Sequence, residues 1–170
     1  QMRVIAYMPL HYGKEYLEAS IKSIDKFVEH IVILYTPEPS YGFASKEPCP
    51  ETQAELLEIA NKASDKIKWI TKGFGNEGEH RKFIQNYTSG YDLTLAIDAD
   101  EVWDEPSLER CLQQAYESDC RHIGITGLVN FWKSFDLACY DGFAPIRITH
   151  NNNSIRTENF RAKVYHMTCF

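Results

Sequence analysis

The sequence predicts a three-layer α/β domain with a mostly parallel sheet and a mixed C-terminal part, on three observations. Short apolar runs alternate four times with stretches whose apolar residues recur at helical spacing. After Asp119 the texture changes to β-branched and aromatic runs with little helical period. The 170 residues, 44% of them hydrophobic, are enough for one domain with its own core and too few for a second.

Each element has a local reason. Residues 3–8 are an apolar run ended by Pro9, and residues 31–35 are a second, ended by Pro37 and Pro39; both read as buried parallel strands. Between them Leu17, Ile21, Ile24 and Val28 share one helical face. Residues 36–50, broken by proline, serine and glycine, read as a loop. Thr52 and Glu55 form a capping-box pattern before a helix with Leu56, Ile59, Ala60 and Ala63 on its inner face, and residues 67–71 form a third strand. Residues 73–78 are expected to turn into a helix over residues 79–89, which carries Phe83, Ile84 and Tyr87 at helical spacing, followed by a strand at residues 93–97. Pro106 suits the first turn of a fourth helix, with Leu108, Cys111, Leu112 and Ala115 as its core stripe. Strands are expected over residues 122–135 and 144–149, a loop over residues 151–154, and a last short strand over residues 163–167.

Composition narrows the function classes. The net charge of −6 is too low for a self-repelling disordered chain, and no apolar run reaches the roughly 18 to 20 residues that span a bilayer. Residues 1–5 lack a signal-peptide layout, and Gln1 reads as an addition ahead of a natural start at Met2. The five cysteines are scattered without C-x-x-C spacing, which reads as reduced thiols in a soluble, cytoplasmic protein. Residues 1–120 carry 12 basic and 21 acidic groups, whereas residues 121–170 carry six and three and half of the six histidines. The C-terminal part is therefore the basic end, open to phosphate or simply an ordinary mixed surface.

The sharpest motif is the run from Leu93 to Ile97 leading into Asp98, Ala99, Asp100 and Glu101. In an open parallel sheet, ligands bind beyond the carboxyl ends of the strands. Three carboxylates clustered there repel one another unless a cation or hydrogen-bond donors compensate, and Mg²⁺ or Mn²⁺ held by one or two carboxylates and by phosphate oxygens would do so. Alternation along an extended segment would place Asp98 and Asp100 on one side. A solvated acidic turn ahead of Pro106 is the plainer alternative.

At this motif the chain resembles the family-2 glycosyltransferases of the GT-A fold. Asp98-Ala99-Asp100-Glu101 looks like their Asp-x-Asp motif, Tyr16-Leu17 through Ser23-Ile24 looks like their first helix, and Glu79-His80-Arg81-Lys82-Phe83 is similar to the arginine-bearing helix before their acidic strand. The resemblance covers about residues 2–135. It implies a Rossmann-like GT-A nucleotide-diphospho-sugar transferase fold, with residues 1–101 as the nucleotide-sugar half and residues 102–170 as the acceptor half. It further implies a metal-dependent, inverting sugar transfer from a nucleoside-diphosphate donor bound across strands one, two and four. Asp100 would hold a Mn²⁺ or Mg²⁺ ion against the diphosphate, Asp98 would join the metal site or sit near the ribose or a metal-bound water, and His166 matches the late histidine that completes the metal site in many members.

Pro9, Leu10, His11 and Tyr12, after the first strand, are positioned to line the nucleoside pocket, with Tyr12 as a stacking face. Thr36 follows the second strand, where Tyr35-Thr36-Pro37-Glu38-Pro39 departs from the acidic, Ser/Thr-rich stretch usual in the family. Arg81 is placed to reach the diphosphate. A general base must come from beyond the acidic strand, where Asp136 and Asp141 are the only aspartates after Asp119; Asp141, beside Gly142, is the candidate. The acceptor is left open among glycan, lipid-linked sugar, protein and modified nucleic acid. Since such domains usually run beyond 170 residues, a shortened chain or a minimal enzyme needing an oligomer or partner chain is expected.

Two other readings compete. One is a non-catalytic nucleotide-sugar-binding module of the same fold. The other is a dinucleotide-binding protein using Gly73, Gly75 and Gly78, which follow a strand, open a helix and precede Asp98 by about twenty residues.

Overall fold

The computed structural model describes residues 1–39, 49–132, 138–140 and 142–169. In chain order they form β1 (Val4–Leu10), α1 (Lys14–Ile24), β2 (His30–Tyr35), α2 (Gln53–Ala63), β3 (Ile67–Thr71), α3 (Glu77–Ile84), β4 (Leu93–Ala96), β5 (Glu101–Trp103), α4 (Glu105–Glu117), β6 (His122–Trp132), β7 (Ala138–Tyr140), β8 (Ile146–His150) and β9 (Thr157–Cys169). The strands make one sheet in the order β3-β2-β1-β4-β8-β6-β9-β5, with β7 paired to β6. β3, β2, β1 and β4 are parallel, β8 is antiparallel to β4 and β6, and β6 runs parallel to β9. This is the mixed α/β architecture expected from the alternating first half and the strand-rich end.

Two cores make three layers. On one face Leu17, Ile21 and Ile24 of α1, Leu56 and Ala60 of α2, and Leu108, Cys111, Leu112 and Ala115 of α4 pack on Ala6, Met8, Ile31, Ile33, Leu93 and Leu95. On the other face Phe74, Phe83, Ile84 and Tyr87, in and around α3, cover Ile5, Val32 and Leu34. Each fully buried Leu or Ile contributes about 1.5–3 kcal/mol, so the stripes read from helical spacing are what dock the helices. The Thr52 side chain accepts from the Glu55 N–H, and the Glu55 carboxylate accepts from the Thr52 N–H, which starts α2 at the expected residue. α3 begins two residues earlier than the spacing predicts, because the Asn76 side chain caps it.

The C-terminal part departs further from expectation. The last strand is 13 residues long, because β9 lies between β6 and β5 and pairs with both. Its outer residues alternate with polar ones, so no apolar run marked its length. At Gly127 the ladder between β6 and β9 shifts register, and the glycine takes φ +91 with the Ala162 carbonyl against its Cα. The expected strand over residues 122–135 ends at Trp132 within the described residues, and β5 and β7, each three residues long, carry no pattern of their own. Among the described residues no helix is long and apolar enough to cross a membrane.

Candidate active site

β1 and β4 are parallel neighbours from which the sheet continues in opposite directions, to β2 and β3 on one flank and β8 on the other. Their carboxyl ends therefore border a crevice of the kind that receives ligands in open α/β sheets. The acidic motif lies there, but residues 98–101 are not extended. The Glu101 N–H donates to the Asp98 carbonyl at 3.0 Å and closes a tight turn. The alternation that would put Asp98 and Asp100 on one side does not hold, and each carboxylate meets a different partner.

Ala99 faces the core. The Ser20 hydroxyl of α1 reaches the backbone of the turn, 2.9 Å from the Ala99 carbonyl and 3.3 Å from that of Asp98, with the Glu101 carbonyl closer still. One turn further along α1, the Ser23 hydroxyl accepts from the Trp103 N–H at 3.2 Å. Two serines on the buried face of α1 thus hold the acidic turn and β5 against the helix.

Glu101 opens β5 and is wholly buried. Arg147, on β8, supplies its counter-charge: Nε lies 3.1 Å from each carboxylate oxygen, and Nη2 bonds both Glu101 and Asp98, the latter at 3.0 Å. The compensation that three clustered carboxylates require is thus partly built into the chain. Burial pushes Glu101 up to about 7, with the attraction of Arg147 opposing that rise. Sequence reasoning missed Arg147. The signal was a single arginine flanked by Ile146 and Ile148 in a short strand, where a charge is rarely buried without a partner.

Asp100 turns towards His166, whose Nε2 is 3.6 Å from its Oδ2. The ladder explains the meeting: β5 and β9 place Glu101 opposite His166, and the Met167 N–H donates to the Asp100 carbonyl at 2.9 Å. On the far side of the ring, Nδ1 donates to the Asn130 side-chain oxygen of β6 at 2.6 Å. Burial raises the Asp100 carboxyl above its ordinary range, His166 opposes this, and Asp98 adds to it. Among the described residues no three potential ligands converge as a metal cluster. Asp100 and His166 together nevertheless offer the oxygen and nitrogen donors that suit Mn²⁺, an ion that fills its remaining positions with water and phosphate oxygens.

The residues expected around the nucleoside divide into two groups. Leu10 and Thr36 are buried, and their backbones tie the ends of β1 and β2 together through the Thr36 N–H and the Leu10 carbonyl at 2.8 Å. His11 Nδ1 lies 2.8 Å from the Thr36 carbonyl, and Tyr12, 68% exposed, stands edge-on to the His11 ring. Pro9 and Arg81 border a cavity of about 20 Å³ that Asp98 and Arg147 also line. Asp141 lies outside the described residues. In the glycine-rich stretch, the Gly75 N–H donates to Glu79 Oε2 at 2.7 Å and the Glu79 N–H to the Asn76 side chain at 3.1 Å, so two of its amides already have partners within the chain.

No family model matches the sequence, and no curated protein matches it significantly. Solved structures do share its fold. The 4-diphosphocytidyl-2C-methyl-D-erythritol synthase of Anaerococcus prevotii DSM 20548 superposes with a TM-score of 0.60 at 7% identity, over 95% of this chain and 87% of that one. A second structure of a 4-diphosphocytidyl-2C-methyl-D-erythritol synthase gives 0.57 at 13% identity, over 95% and 89%. TarS of S. aureus in complex with UDP gives 0.56 at 12% identity, over 78% of this chain and 37% of that chain. The chain thus spans little more than a third of that TarS chain, which comprises its residues 1–349. At these identities the likeness is one of fold.

Proposed function

We propose that the chain is a nucleotide-dependent transferase that moves a sugar from a nucleoside diphosphate to an acceptor hydroxyl. The observation that carries this reading is the pairing of Asp100 with His166 at the carboxyl end of β4, in the crevice where the sheet diverges. The UDP of the TarS structure supports the donor class, as does the acidic turn itself. A divalent ion held by Asp100 and His166 would neutralise charge building on the departing diphosphate. Arg81 adds positive charge at the crevice, while His11 and Tyr12 offer an exposed surface for the base. In the reaction the acceptor oxygen bonds to the anomeric carbon as the bond from that carbon to the phosphate oxygen breaks. The hydroxyl proton passes to a general base, for which Asp141 is the candidate.

The test is thermal shift and calorimetry with UDP, GDP, CDP and ADP, each with and without Mn²⁺. One nucleoside diphosphate should stabilise the protein only with the metal, and Asp100→Ala should abolish that effect. Metal-independent binding, or binding unchanged in Asp100→Ala, would overturn the metal role.

Nucleotidyl transfer is a second reading, favoured by the near-complete mutual coverage with the diphosphocytidyl synthase, 95% and 87%. The released product separates the two: pyrophosphate from a nucleoside triphosphate marks nucleotidyl transfer, and a nucleoside diphosphate marks glycosyl transfer.

A further inference from the structure

Among the described residues, no helix packs over the strands beyond β1 on the face of the sheet that α3 covers over β1 and β2. In register across that face, Ile5 of β1 is followed by Thr94 of β4, Thr149 of β8, His122 of β6 and Thr157 of β9. The row changes from an isoleucine packed under α3 to three hydroxyls and an imidazole. A sheet face meant to be sealed by another apolar layer would continue with Val, Ile or Leu; this one is polar where it opens.

The row is the floor of a groove with a cavity of about 410 Å³, the size of a small-molecule site. Arg81 from α3, Arg121 just before β6, and Asn151 line it, and Ile84 and Ile146 add apolar wall. Among the described residues Arg121 has no ion pair, and the acid nearest to it in sequence, Asp119, is bound to Arg156. The charged groups bearing on His122 are Arg121 and Arg81, which together with burial hold its imidazole below the usual range, burial being the largest cause. Its partners in register are threonines, and Glu158, beside Thr157, turns to the other face against Cys120 Sγ at 3.6 Å. Among the described residues no carboxylate is paired with Arg121, so its charge is directed at this floor. Tyr7, Arg81, Ala96 and Ile146 are shared with the smaller cavity at Asp98 and Arg147, so the groove leads to the acidic turn.

We infer that this groove binds a small phosphorylated, hydroxyl-bearing molecule, its phosphate held by Arg121 and His122 and its hydroxyls by the threonine row, as the acceptor whose far end reaches the Asp98 crevice. The acceptor role rests on the proposed transfer; the phosphate site does not.

The experiment follows the His122 ring by NMR while inorganic phosphate is added without metal or nucleotide. Phosphate should raise the His122 titration midpoint by offsetting the two arginines, and Arg121→Gln should weaken binding about tenfold. Thr157→Glu, at an exposed position, should block binding by charge repulsion with the fold kept. Metal-dependent nucleoside-diphosphate binding should persist in both variants. A His122 midpoint unmoved by phosphate, or phosphate affinity unchanged in Thr157→Glu, overturns the site. Loss of nucleoside-diphosphate binding in both variants would make the groove part of the donor site and overturn the separate assignment. If phosphate moves His122 while no nucleoside diphosphate binds the native protein, the transferase reading fails and the phosphate site stands.

Discussion

Arg147 lies along the carboxylate of Glu101 with its Nε 3.1 Å from both oxygens, and the glutamate has no exposed surface. Two opposite charges are thereby held inside a sheet, beneath a turn that presents a third charge, Asp98, to the crevice. Each member of such a pair is tolerated because the other is present.

Removing one partner is therefore expected to be costly. Arg147→Met should destabilise the protein by about 3–5 kcal/mol at pH 8, where Glu101 is ionised, since it strands a buried carboxylate. Arg147→Met combined with Glu101→Leu should recover most of that loss. Urea unfolding of the two variants and the native protein measures the difference, and equal stability of single and double variants would contradict the pairing.

The same burial gives a pH dependence with a definite sign. The folded-state value of Glu101 is about 7, against about 4.3 for an unfolded glutamate. Between those values the folded protein holds a proton that the unfolded chain has lost, so this group's contribution to stability is full below about pH 4 and falls as pH rises to about 7. At about 1.4 kcal/mol per pKa unit the loss is at most about 3–4 kcal/mol. Unfolding between pH 5 and 8 should show this decline in the native protein relative to Glu101→Gln; parallel profiles would contradict it.

Ser20 gives a local counterpart. Its single hydroxyl proton is the buried side-chain donor to the carbonyls of the acidic turn, so Ser20→Ala removes that donor at a cost of about 1–3 kcal/mol. The Glu101 N–H, which bonds the Asp98 carbonyl, should then exchange with solvent faster than amides of β1 and β2. Unchanged exchange at that amide would mean the turn holds itself.

What could be read in the sequence follows from where the physics is local. Helical stripes, the Thr52–Glu55 box, Pro106 and the apolar strands were legible because spacing along the chain determines them. The acidic turn was legible as a motif but not as a shape, because the Ser20 contacts that bend it come from about 80 residues away. β5 and the full length of β9 were hidden for the same reason: three residues acquire strand geometry from a partner far along the chain. His166 could be placed as a candidate by type and position, whereas its meeting with Asp100 depends on the β5–β9 ladder.

Gly127 is the backbone counterpart of that hidden C-terminal geometry. Its φ of +91 is unfavourable for a side chain, and a Cβ built there would meet the Ala162 carbonyl at 2.7 Å. Gly127→Ala should cost about 2 kcal/mol or more, with the loss read as faster exchange along β6 and β9 beyond the bulge. A variant as stable as the native protein would show that the bulge can relax.

Asn130 bears on the candidate metal pair without facing the crevice itself. Its side-chain oxygen lies 2.6 Å from His166 Nδ1 and accepts from it in the tautomer protonated there, in which Nε2, the nitrogen facing Asp100, carries no proton. Outer partners of this kind typically contribute about 10–100-fold in metal affinity by fixing tautomer and ring orientation. Asn130→Leu is therefore expected to weaken Mn²⁺-dependent nucleoside-diphosphate binding within that range, while metal-independent phosphate binding in the groove is unaffected. The His166 ring nitrogens report the cause directly: in native protein the proton should sit on Nδ1, and in Asn130→Leu the two tautomers should mix. Weakened binding with an unchanged tautomer would move the role of Asn130 from orienting His166 to simple packing.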